Sequence, residues 1–524
     1  MRVMEVKFFI WCLTYFILLS KGKWGICMAE IKKQGEQFSS RWGLLCTILG
    51  MAVGTGNIWR FPREVASNNG GAFILICFLA LFIWAVPLIT AESIFGKKTR
   101  MANAGAFKAL LGEKYTWVGT FAGMVCIMLG CYYVVVLGWV MKYLVLICTG
   151  FLGEVNAGGT EFAEAVFKKF ATTPPAFEAW AWFAVAVAIS AVIIFRGIQG
   201  GIETANKIMI PAVFVLLAIL LVRVATLPGA MKGFEYMYHI DTADFFKGKV
   251  WLSAFTQAAW SSGAGWGMFH VYFVYAGEKE DIQLNAFTVT FGDMVAAMLA
   301  GMVVLPAVFA LSPDPYAVMK AGSNGLTFVH LTNLFAHTTG GFFMAVLFFL
   351  ALFSAALSSV IAMLELGTRN LIDMGFSRAK ATIYVAIFFL FVGTFSALDN
   401  RIFENQDMVW GVALLVVGLI YSLAAMKYGV NRLWYDDISP CSDIHVKWMW
   451  ACIRFFPVEF LLVWGWWMHE ASTWYPGEWL KFWPITKYQY TPGAMIVEWL
   501  LLALVCFMLN NYMAKRLIHS NKLS

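Results

Sequence analysis

Hydrophobic residues run in long blocks through most of this chain, separated by short polar or glycine-rich stretches. Blocks long enough to span a bilayer, about 20 residues, recur twelve times. The segment 313–339 is too polar to span and is predicted to be a structured outer loop. The pattern predicts an all-α polytopic membrane protein with twelve transmembrane helices. The predicted spans lie at 41–67, 71–96, 117–150, 177–195, 203–224, 249–276, 285–312, 340–374, 378–398, 406–430, 448–469 and 493–514.

The composition of the 524 residues supports a membrane protein over any water-soluble class. Hydrophobic residues make up 60% of the chain and charged residues only 13%. Soluble domains carry about 45–50% apolar and about 25% charged residues. So much apolar surface cannot be buried in a water-soluble core of this size. A soluble enzyme, a nucleic-acid binder and a disordered chain are therefore excluded, and we expect the lipid bilayer as a partner.

Positive charges indicate how the chain is oriented in the membrane. The net charge is +7, and Lys and Arg gather in loops on one side of the predicted spans. Such residues favour the cytoplasmic side, so both termini are predicted to be cytoplasmic, in a cell (inner) membrane. The residues on this side are Lys32, Lys33, Arg41, Lys97, Lys98, Arg100, Lys108, Lys114, Arg369, Arg378, Lys380, Lys427, Arg432, Lys515 and Arg516.

The ends of the chain form two predicted cytoplasmic segments, residues 1–37 and 515–524. Phe8–Ser20 is an apolar stretch behind two basic residues and is too short to span. A signal peptide is one interpretation of it, but that conflicts with a cytoplasmic N-terminus. We prefer the hypothesis that Met28 is the natural start and that residues 1–27 are an upstream extension.

A group of tryptophans lies around the last predicted outer loop. Trp and Tyr are enriched where a membrane meets water. An aromatic belt therefore explains this group better than a ligand site does. Its members are Trp464, Trp466, Trp467, Trp474, Trp479 and Trp483.

Two predicted spans, the first and the sixth, contain clustered glycines. Glycine costs about 1 kcal/mol relative to alanine in a helix interior, yet it recurs within 50–57 and again within 261–267. The two stretches are five spans apart, so each opens a set of five helices. Paired glycine-interrupted segments of this kind point to a transporter binding site between inverted repeats, where freed carbonyls bind a cation and helix N-termini face an anion.

The sequence of the first span carries a resemblance to a known family. Residues 52–62 read Ala-Val-Gly-Thr-Gly-Asn-Ile-Trp-Arg-Phe-Pro, followed at 68–73 by Asn-Asn-Gly-Gly-Ala-Phe. This stretch resembles the first-helix signature of the neurotransmitter:sodium symporter family. Further matching positions are Pro87, Glu92, Tyr132, Tyr133, residues 257–267, Leu357, Ser358, Ser359, Asp373 and Asp407.

The resemblance implies the leucine-transporter fold of a prokaryotic-type amino-acid carrier. It covers about residues 38–430, the expected core of ten helices in an inverted five-plus-five repeat with broken helices 1 and 6. Two additional transmembrane helices would occupy 431–514, where the match is only in number and position. This family is itself a standard example of such inverted repeats, so the fold is inherited from the resemblance.

Two sodium sites are implied by the same resemblance. Sodium is a hard cation that prefers oxygen ligands. The first site would use Ala52, Asn57, Ser261 and Asp293, completed by a substrate carboxylate. The second would use Gly50, Val53, Ala355, Ser358 and Ser359.

Substrate contacts can be carried over position by position. Backbone amides of Thr55 and Gly56, with the Tyr133 hydroxyl, would hold a carboxylate. Gly54 stands where monoamine carriers of the family have an aspartate, so glycine there implies an amino-acid substrate. The full implied set is Met51, Ala52, Thr55, Gly56, Leu129, Tyr133, Trp260, Ser261, Gly263, Trp266, Ser359 and Met363.

The side chain of the substrate is harder to infer. Trp266 stands where the family's glycine carriers have tryptophan, and two indoles with Trp260 should shrink the cavity, although Gly263 returns some room. We expect a small neutral amino acid such as glycine or alanine. An apolar or aromatic amino acid that fits Leu129 and Met363 is the close alternative, and a quaternary ammonium held by the two indoles is a third.

Charged residues near the ends of the pathway suggest gates. By resemblance, Arg60 would pair with Asp407 as the outer gate, under a lid formed by Tyr133 and Trp260. At the inner end Asp373 matches the family's gate acid. The usual arginine partner falls at Gly35, so Lys32 or Lys33 must substitute, with assistance from Tyr275.

Chloride is not expected as a cofactor. Chloride-dependent members have asparagine where Asp293 stands, a serine where Ala297 stands and a tyrosine where Cys77 stands. Asp293 would supply the negative charge permanently, and it is expected to release a proton in the return step. We expect two sodium ions as the only cofactors.

The expected function is sodium-coupled symport of a neutral amino acid by alternating access. A ligand sensor on the same fold that does not transport is an alternative from another class. An enzyme is not expected, because no nucleophile–base set or metal cluster appears in the sequence. We expect no nucleic-acid partner, and a monomer or weak homodimer.

Overall fold

A computed structural model describes residues 36–320 and 322–517, which contain helices and loops without β-strand. The predictions for residues 1–35, including Lys33 and the start at Met28, lie outside these residues. The helices of the first half are α1 Arg41–Ala52, α2 Gly56–Ser67, α3 Gly71–Thr99, α4 Asn103–Leu111, α5 Glu113–Cys148, α6 Phe151–Phe167, α7 Phe177–Phe195, α8 Ile198–Ala225, α9 Ala230–Tyr238, α10 Gly248–Ser261 and α11 Met268–Phe273.

The second half continues with long helices and short connections. They are α12 Ile282–Leu311, α13 Gly325–Ala336, α14 Gly341–Asp373, α15 Arg378–Leu398, α16 Asn400–Tyr428, α17 Lys447–Arg454, α18 Phe456–Thr473, α19 Pro492–Met508 and α20 Asn510–Arg516. Shorter helical turns fill Lys168–Thr172, Thr242–Phe246, Pro315–Lys320, Gly322–Asn324, Val430–Arg432 and Leu433–Ile438.

The all-helical, membrane-spanning prediction is confirmed. Eight helices in the described part of the chain are long and apolar enough to cross a membrane, and the number rises to eleven if three bent pairs each count as one span. The pairs α17–α18 and α19–α20 each bend by 53°. The bend of α17–α18 lies just before Pro457, and a proline disfavours helix in the residue that precedes it; neither glycine nor proline marks the bend of α19–α20. The predicted outer loop at 313–339 contains the short apolar helix α13.

Both glycine clusters interrupt their helices as predicted. The first span divides into α1 and α2, which meet at 50°. The sixth divides into α10 and α11, separated by residues 262–267. Backbone outside a helix is tolerated at membrane depth only where protein or a cavity surrounds it. Here the protein core surrounds both interruptions.

The helices differ in how much of their surface the protein covers. α5 and α14 pack against each other and are almost entirely buried, whereas α7 and α8 are mostly uncovered. On α8 the exposed residues Ile208, Val215 and Val222 recur every seven positions and are 68%, 56% and 69% exposed. Such an apolar stripe is suited to hydrocarbon, so α5 and α14 form the centre and α8 the periphery.

Candidate substrate and sodium sites

The unwound part of the first span is short. α1 ends at Ala52, and Val53 leaves the helical region with φ −74° and ψ 89°. The backbone N–H of Asn57 donates to the Gly54 carbonyl (3.3 Å). The chain re-enters helical structure through a π-helical turn at Gly56–Arg60. Asn57 also accepts from the Gly54 amide through Oδ1 (3.0 Å). The backbone and the side chain of Asn57 thus both bond to Gly54 across the interruption.

The unwound part of the sixth span is longer and is held by a carboxylate. Gly263, Gly265 and Gly267 have φ values of +67°, +85° and +79°, a region that residues with a Cβ rarely adopt. The Gly265 amide donates to Oε1 of Glu92 (2.5 Å), a buried acid on α3. Because a buried amide without a partner is costly, Glu92 stabilises the open backbone.

Three residues predicted for the first sodium site lie in direct contact. Asn57 donates through Nδ2 to Oδ1 of Asp293 (2.6 Å), and Ser261 donates to Oδ2 of Asp293 (2.8 Å). Asn57 Nδ2 is also 3.1 Å from Ser261 Oγ. All three side chains are buried, with Asp293 only 1% exposed. The cluster gathers carboxylate and hydroxyl oxygens, which suit a hard cation, while the Asn57 amide oxygen accepts from the Gly54 amide. Ala52, the fourth residue predicted for this site, is buried at the end of α1.

One residue predicted for the second sodium site, Ser359, joins α14 to α1. Ser359 Oγ donates to the Met51 carbonyl (3.4 Å) and to the Ala355 carbonyl (3.2 Å). Ser358 Oγ donates to the same Ala355 carbonyl (3.0 Å). Gly50 and Val53 are buried on the α1 side. These groups are all neutral, so this site differs from the first in having no carboxylate among the predicted ligands.

The groups expected to hold a substrate carboxylate lie side by side. The Thr55 amide donates to the Tyr133 hydroxyl (3.1 Å), and the Thr55 hydroxyl is 2.9 Å from the same atom. A Cβ built at Gly56 meets no atom within 4 Å. Open space therefore adjoins the interruption where the substrate is expected.

Three other residues that are expected to contact the substrate lie on neighbouring helices. Leu129 on α5, and Ser359 and Met363 on α14, are at most 3% exposed. A Cβ on Gly263 would lie 3.7 Å from Cε of Met51. Trp266 lies in the unwound segment with its Nε1 buried and without a hydrogen-bond partner in the described structure.

The predicted outer-gate residues are placed differently from the expectation. No ion pair joins Arg60 to Asp407 within residues 36–320 and 322–517; the carboxylate partner of Arg60 is Glu64, at 3.7 Å and one turn along α2. The Arg60 guanidinium lies over the ring of Trp260, 3.9 Å from its centroid. Glu64 lies on the same helix as Arg60, so this contact does not involve α16.

The predicted inner-gate residues also have other partners. Asp373 pairs with Arg369 on its own helix (2.9 Å) and accepts from the Ala102 amide (2.5 Å). Tyr275 donates to Oε1 of Glu365 (2.5 Å). Lys33, the expected cationic partner of Asp373, lies outside the described residues.

A different ion pair connects the segment before α1 to the helices. Arg378, at the start of α15, donates through Nη1 to Oε2 of Glu365 (2.7 Å) and through Nε to both carboxylate oxygens of Glu36 (2.9 Å each). Relative to the expected pair, the charges are exchanged, with the acid on the N-terminal segment. The sequence identifies Arg378 only as a cytoplasmic charge, and nothing in it indicates Glu36 as the partner.

The comparisons with known proteins agree with this geometry. The sodium:neurotransmitter symporter family matches residues 35–154 and 177–520. The chain belongs to this family. Family membership makes it a sodium-dependent symporter and a multi-pass membrane protein rather than an enzyme.

Two relatives and one solved structure illustrate the range of the match. The uncharacterized sodium-dependent transporter MJ1319 of Methanocaldococcus jannaschii is 32% identical over 375 residues, 68% of this chain and 74% of that protein. An uncharacterized sodium-dependent transporter of Haemophilus influenzae is 27% identical over 387 residues, 72% and 83% of the two chains. The structure of bacterial MhsT in complex with L-phenylalanine matches with a TM-score of 0.71 and 28% identity, covering 82% of this chain and 99% of MhsT.

Proposed function

We propose that this symporter carries a neutral amino acid together with sodium by alternating access. The observation that carries the proposal is the contact of Asn57, Ser261 and Asp293, which joins the interruption of the first span to that of the sixth. A cation bound there would stabilise the arrangement in which the two interrupted pairs are in contact. Binding and conformational change would therefore be coupled.

The proposed topology is twelve spans with both termini in the cytoplasm. The eleven spans that length and apolarity support, with bent pairs counted once, do not include the interrupted pair α10–α11. Adding this pair gives the twelfth. The first ten spans would form the inverted five-plus-five repeat, because the interrupted pairs open its two halves.

Two sodium ions are proposed to drive transport. The first would bind at Asp293 and its neighbours, and the second between the Ala355, Ser358 and Ser359 oxygens and the carbonyls of α1. A tenfold sodium gradient with 100 mV across the membrane supplies about 3.7 kcal/mol per ion. Two ions could thus sustain roughly a 10⁵-fold substrate gradient.

Transport is proposed to be independent of chloride. Asp293 places a fixed negative charge beside the first sodium site, and uncompensated positive charge in a buried site would be costly. Ala297 and Cys77, both buried, offer no hydroxyl to an anion. Replacing chloride by gluconate should therefore leave uptake unchanged.

A substrate carboxylate is proposed to bind between Thr55, Gly56 and Tyr133. In the structure the Tyr133 hydroxyl and the Thr55 amide bond to each other. A carboxylate would take both donors, and the open space at Gly56 leaves room for it.

The preferred substrate is proposed to be small, glycine or alanine, because the indoles of Trp260 and Trp266 would shrink the cavity. An apolar amino acid is the second candidate. The complex of MhsT with L-phenylalanine favours it. The two candidates differ enough in volume for one competition assay to separate them.

Reconstituted protein in liposomes tests the proposal directly. Uptake of labelled glycine and labelled L-phenylalanine should require an inward sodium gradient, and each unlabelled amino acid should be tested as a competitor of the other. Sodium-dependent binding without accumulation would support a sensor in place of a symporter. Accumulation that persists when sodium is replaced by potassium would contradict the coupling.

A further inference from the structure

The indole of Trp260 is held by three different helices. Its Nε1 donates to the Gly411 carbonyl on α16 (3.1 Å). The Arg60 guanidinium of α2 lies over its ring. Its ring also stacks with Trp467 of α18, with centroids 5.6 Å apart and planes inclined by 21°. Trp260 is the last large side chain before the interruption of the sixth span, so these contacts decide where the lid lies.

Trp467 contacts α10 at two positions that are one helical turn apart. Besides stacking with Trp260, it donates through Nε1 to Oγ1 of Thr256 (3.1 Å), which is buried. Residues four apart on a helix lie on one face, so Thr256 and Trp260 present a single surface to Trp467. The stacked ring is thereby fixed in orientation as well as in distance.

An aromatic belt does not explain these contacts. A belt residue needs only the boundary between membrane and water. The neighbouring Trp466, also half-buried, makes an edge contact with Trp467 at a centroid distance of 5.2 Å. Trp467 instead directs its polar edge and its ring into the protein. The two adjacent tryptophans thus provide a natural comparison.

Arg60 depends on the position of Trp260. Its Nη1 is buried without a hydrogen-bond partner in the described structure, and its one ion pair there, to Glu64, is long at 3.7 Å. The close contact with the Trp260 ring, at 3.9 Å, is therefore a main restraint on the guanidinium. If the indole shifts, Arg60 loses this restraint.

We propose that Trp467 is a positioning residue of the outer gate, holding Trp260 where Arg60 can cover the path to the substrate. This assigns a gating role to α18, which lies outside the ten-helix core. The inference rests on the proposed function, since it assumes that the substrate lies beneath Trp260.

Thiol labelling in intact cells tests the gate without requiring a known substrate. Gly56→Cys places a thiol in the open space beneath the proposed lid. Its rate of reaction with a membrane-impermeant maleimide is measured in sodium, after subtraction of the rate for the same chain with Gly56 retained. Trp467→Ala should raise this rate by five- to tenfold. Trp466→Ala, the matched control, should change it by less than twofold.

One further variant and one further measurement separate positioning from general packing. Trp467→Phe retains a stacking ring but loses the hydrogen bond to Thr256, so its labelling rate should fall between wild type and Trp467→Ala. Melting temperatures of the purified variants show whether Trp467→Ala merely loosens the fold. Equal labelling rates for Trp467→Ala and Trp466→Ala would overturn the inference.

The uptake assay tests the proposed function, and the labelling assay separately tests the role of Trp467. If wild-type protein accumulates neither glycine nor L-phenylalanine with sodium, the substrate proposal fails, whereas the labelling result still decides the role of Trp467. If uptake is normal and labelling is unchanged by Trp467→Ala, only the gate assignment fails.

Discussion

The two unwound segments use glycine for different physical reasons. In the first span, Gly54 and Gly56 have ordinary backbone angles, and what matters is the space around them. A Cβ on Gly54 would lie 2.9 Å from Ser359 Oγ and 3.2 Å from the Tyr133 hydroxyl. In the sixth span, Gly265 has φ +85° and approaches the backbone of Gly418.

This difference separates ligand binding from backbone support. The first segment is short, and its glycines leave room for functional oxygens that belong to other helices. The sixth segment is longer, and its path depends on backbone angles that other residues resist. Substitutions in the first segment should therefore alter ion or substrate binding, whereas most substitutions in the sixth should alter the fold.

The largest effect is expected for Gly265→Ala. The new Cβ would lie 2.8 Å from the Cα of Gly418, and a backbone atom cannot move aside as a side chain can. The positive φ adds about 1–2 kcal/mol of strain. We expect little folded protein, measured as the monodisperse fraction on size-exclusion chromatography, and loss of uptake. Gly277→Ala is the control, because its Cβ would meet nothing within 4 Å. Equal yields for the two variants would contradict a structural role for the sixth segment.

The second effect concerns the residue that joins the two segments. Asp293→Asn keeps the shape but removes the charge beside Asn57 and Ser261. We expect sodium-driven uptake to fall at least tenfold in gluconate. Added chloride should restore part of it if the missing charge is the cause. Uptake equal to wild type in gluconate would show that the Asp293 charge is not required.

The sequence predicted these segments better than it predicted what surrounds them. The glycine clusters and the family signature pointed to Asn57, Ser261 and Asp293, which the structure brings into contact. The contact of Glu36 with Arg378 and that of Trp260 with Trp467 were missed. Each joins segments more than two hundred residues apart in the sequence, and an isolated charge or tryptophan carries no spacing that indicates its partner.

A smaller effect on uptake is expected for a substitution on α14 that contacts only the first unwound segment. Ser359→Ala removes a hydroxyl that reaches the Met51 carbonyl (3.4 Å). An interaction of this kind contributes about 1 kcal/mol, so the sodium concentration for half-maximal uptake should rise roughly fivefold. Ser354→Ala is the control, because its hydroxyl bonds to the Leu350 carbonyl of its own helix (2.9 Å). A wild-type sodium dependence in Ser359→Ala would place the second site elsewhere.

A smaller effect on folding than that of Gly265→Ala is expected for Gly263→Ala, which tests whether the sixth segment also contributes to binding. Its φ of +67° resembles that of Gly265, yet a Cβ would meet nothing closer than Cε of Met51 at 3.7 Å. The variant should therefore fold, with a stability loss of about 1–2 kcal/mol from the backbone angle alone.

The added methyl group of Gly263→Ala would occupy space proposed for the substrate side chain. One methylene in an apolar pocket changes discrimination by about 1–3 kcal/mol, so competition by L-phenylalanine should weaken at least tenfold relative to competition by glycine. A folded variant with the wild-type ratio of the two competitors would place Gly263 outside the pocket. The sixth unwound segment would then serve only to support the backbone, whereas the first would serve ligand binding.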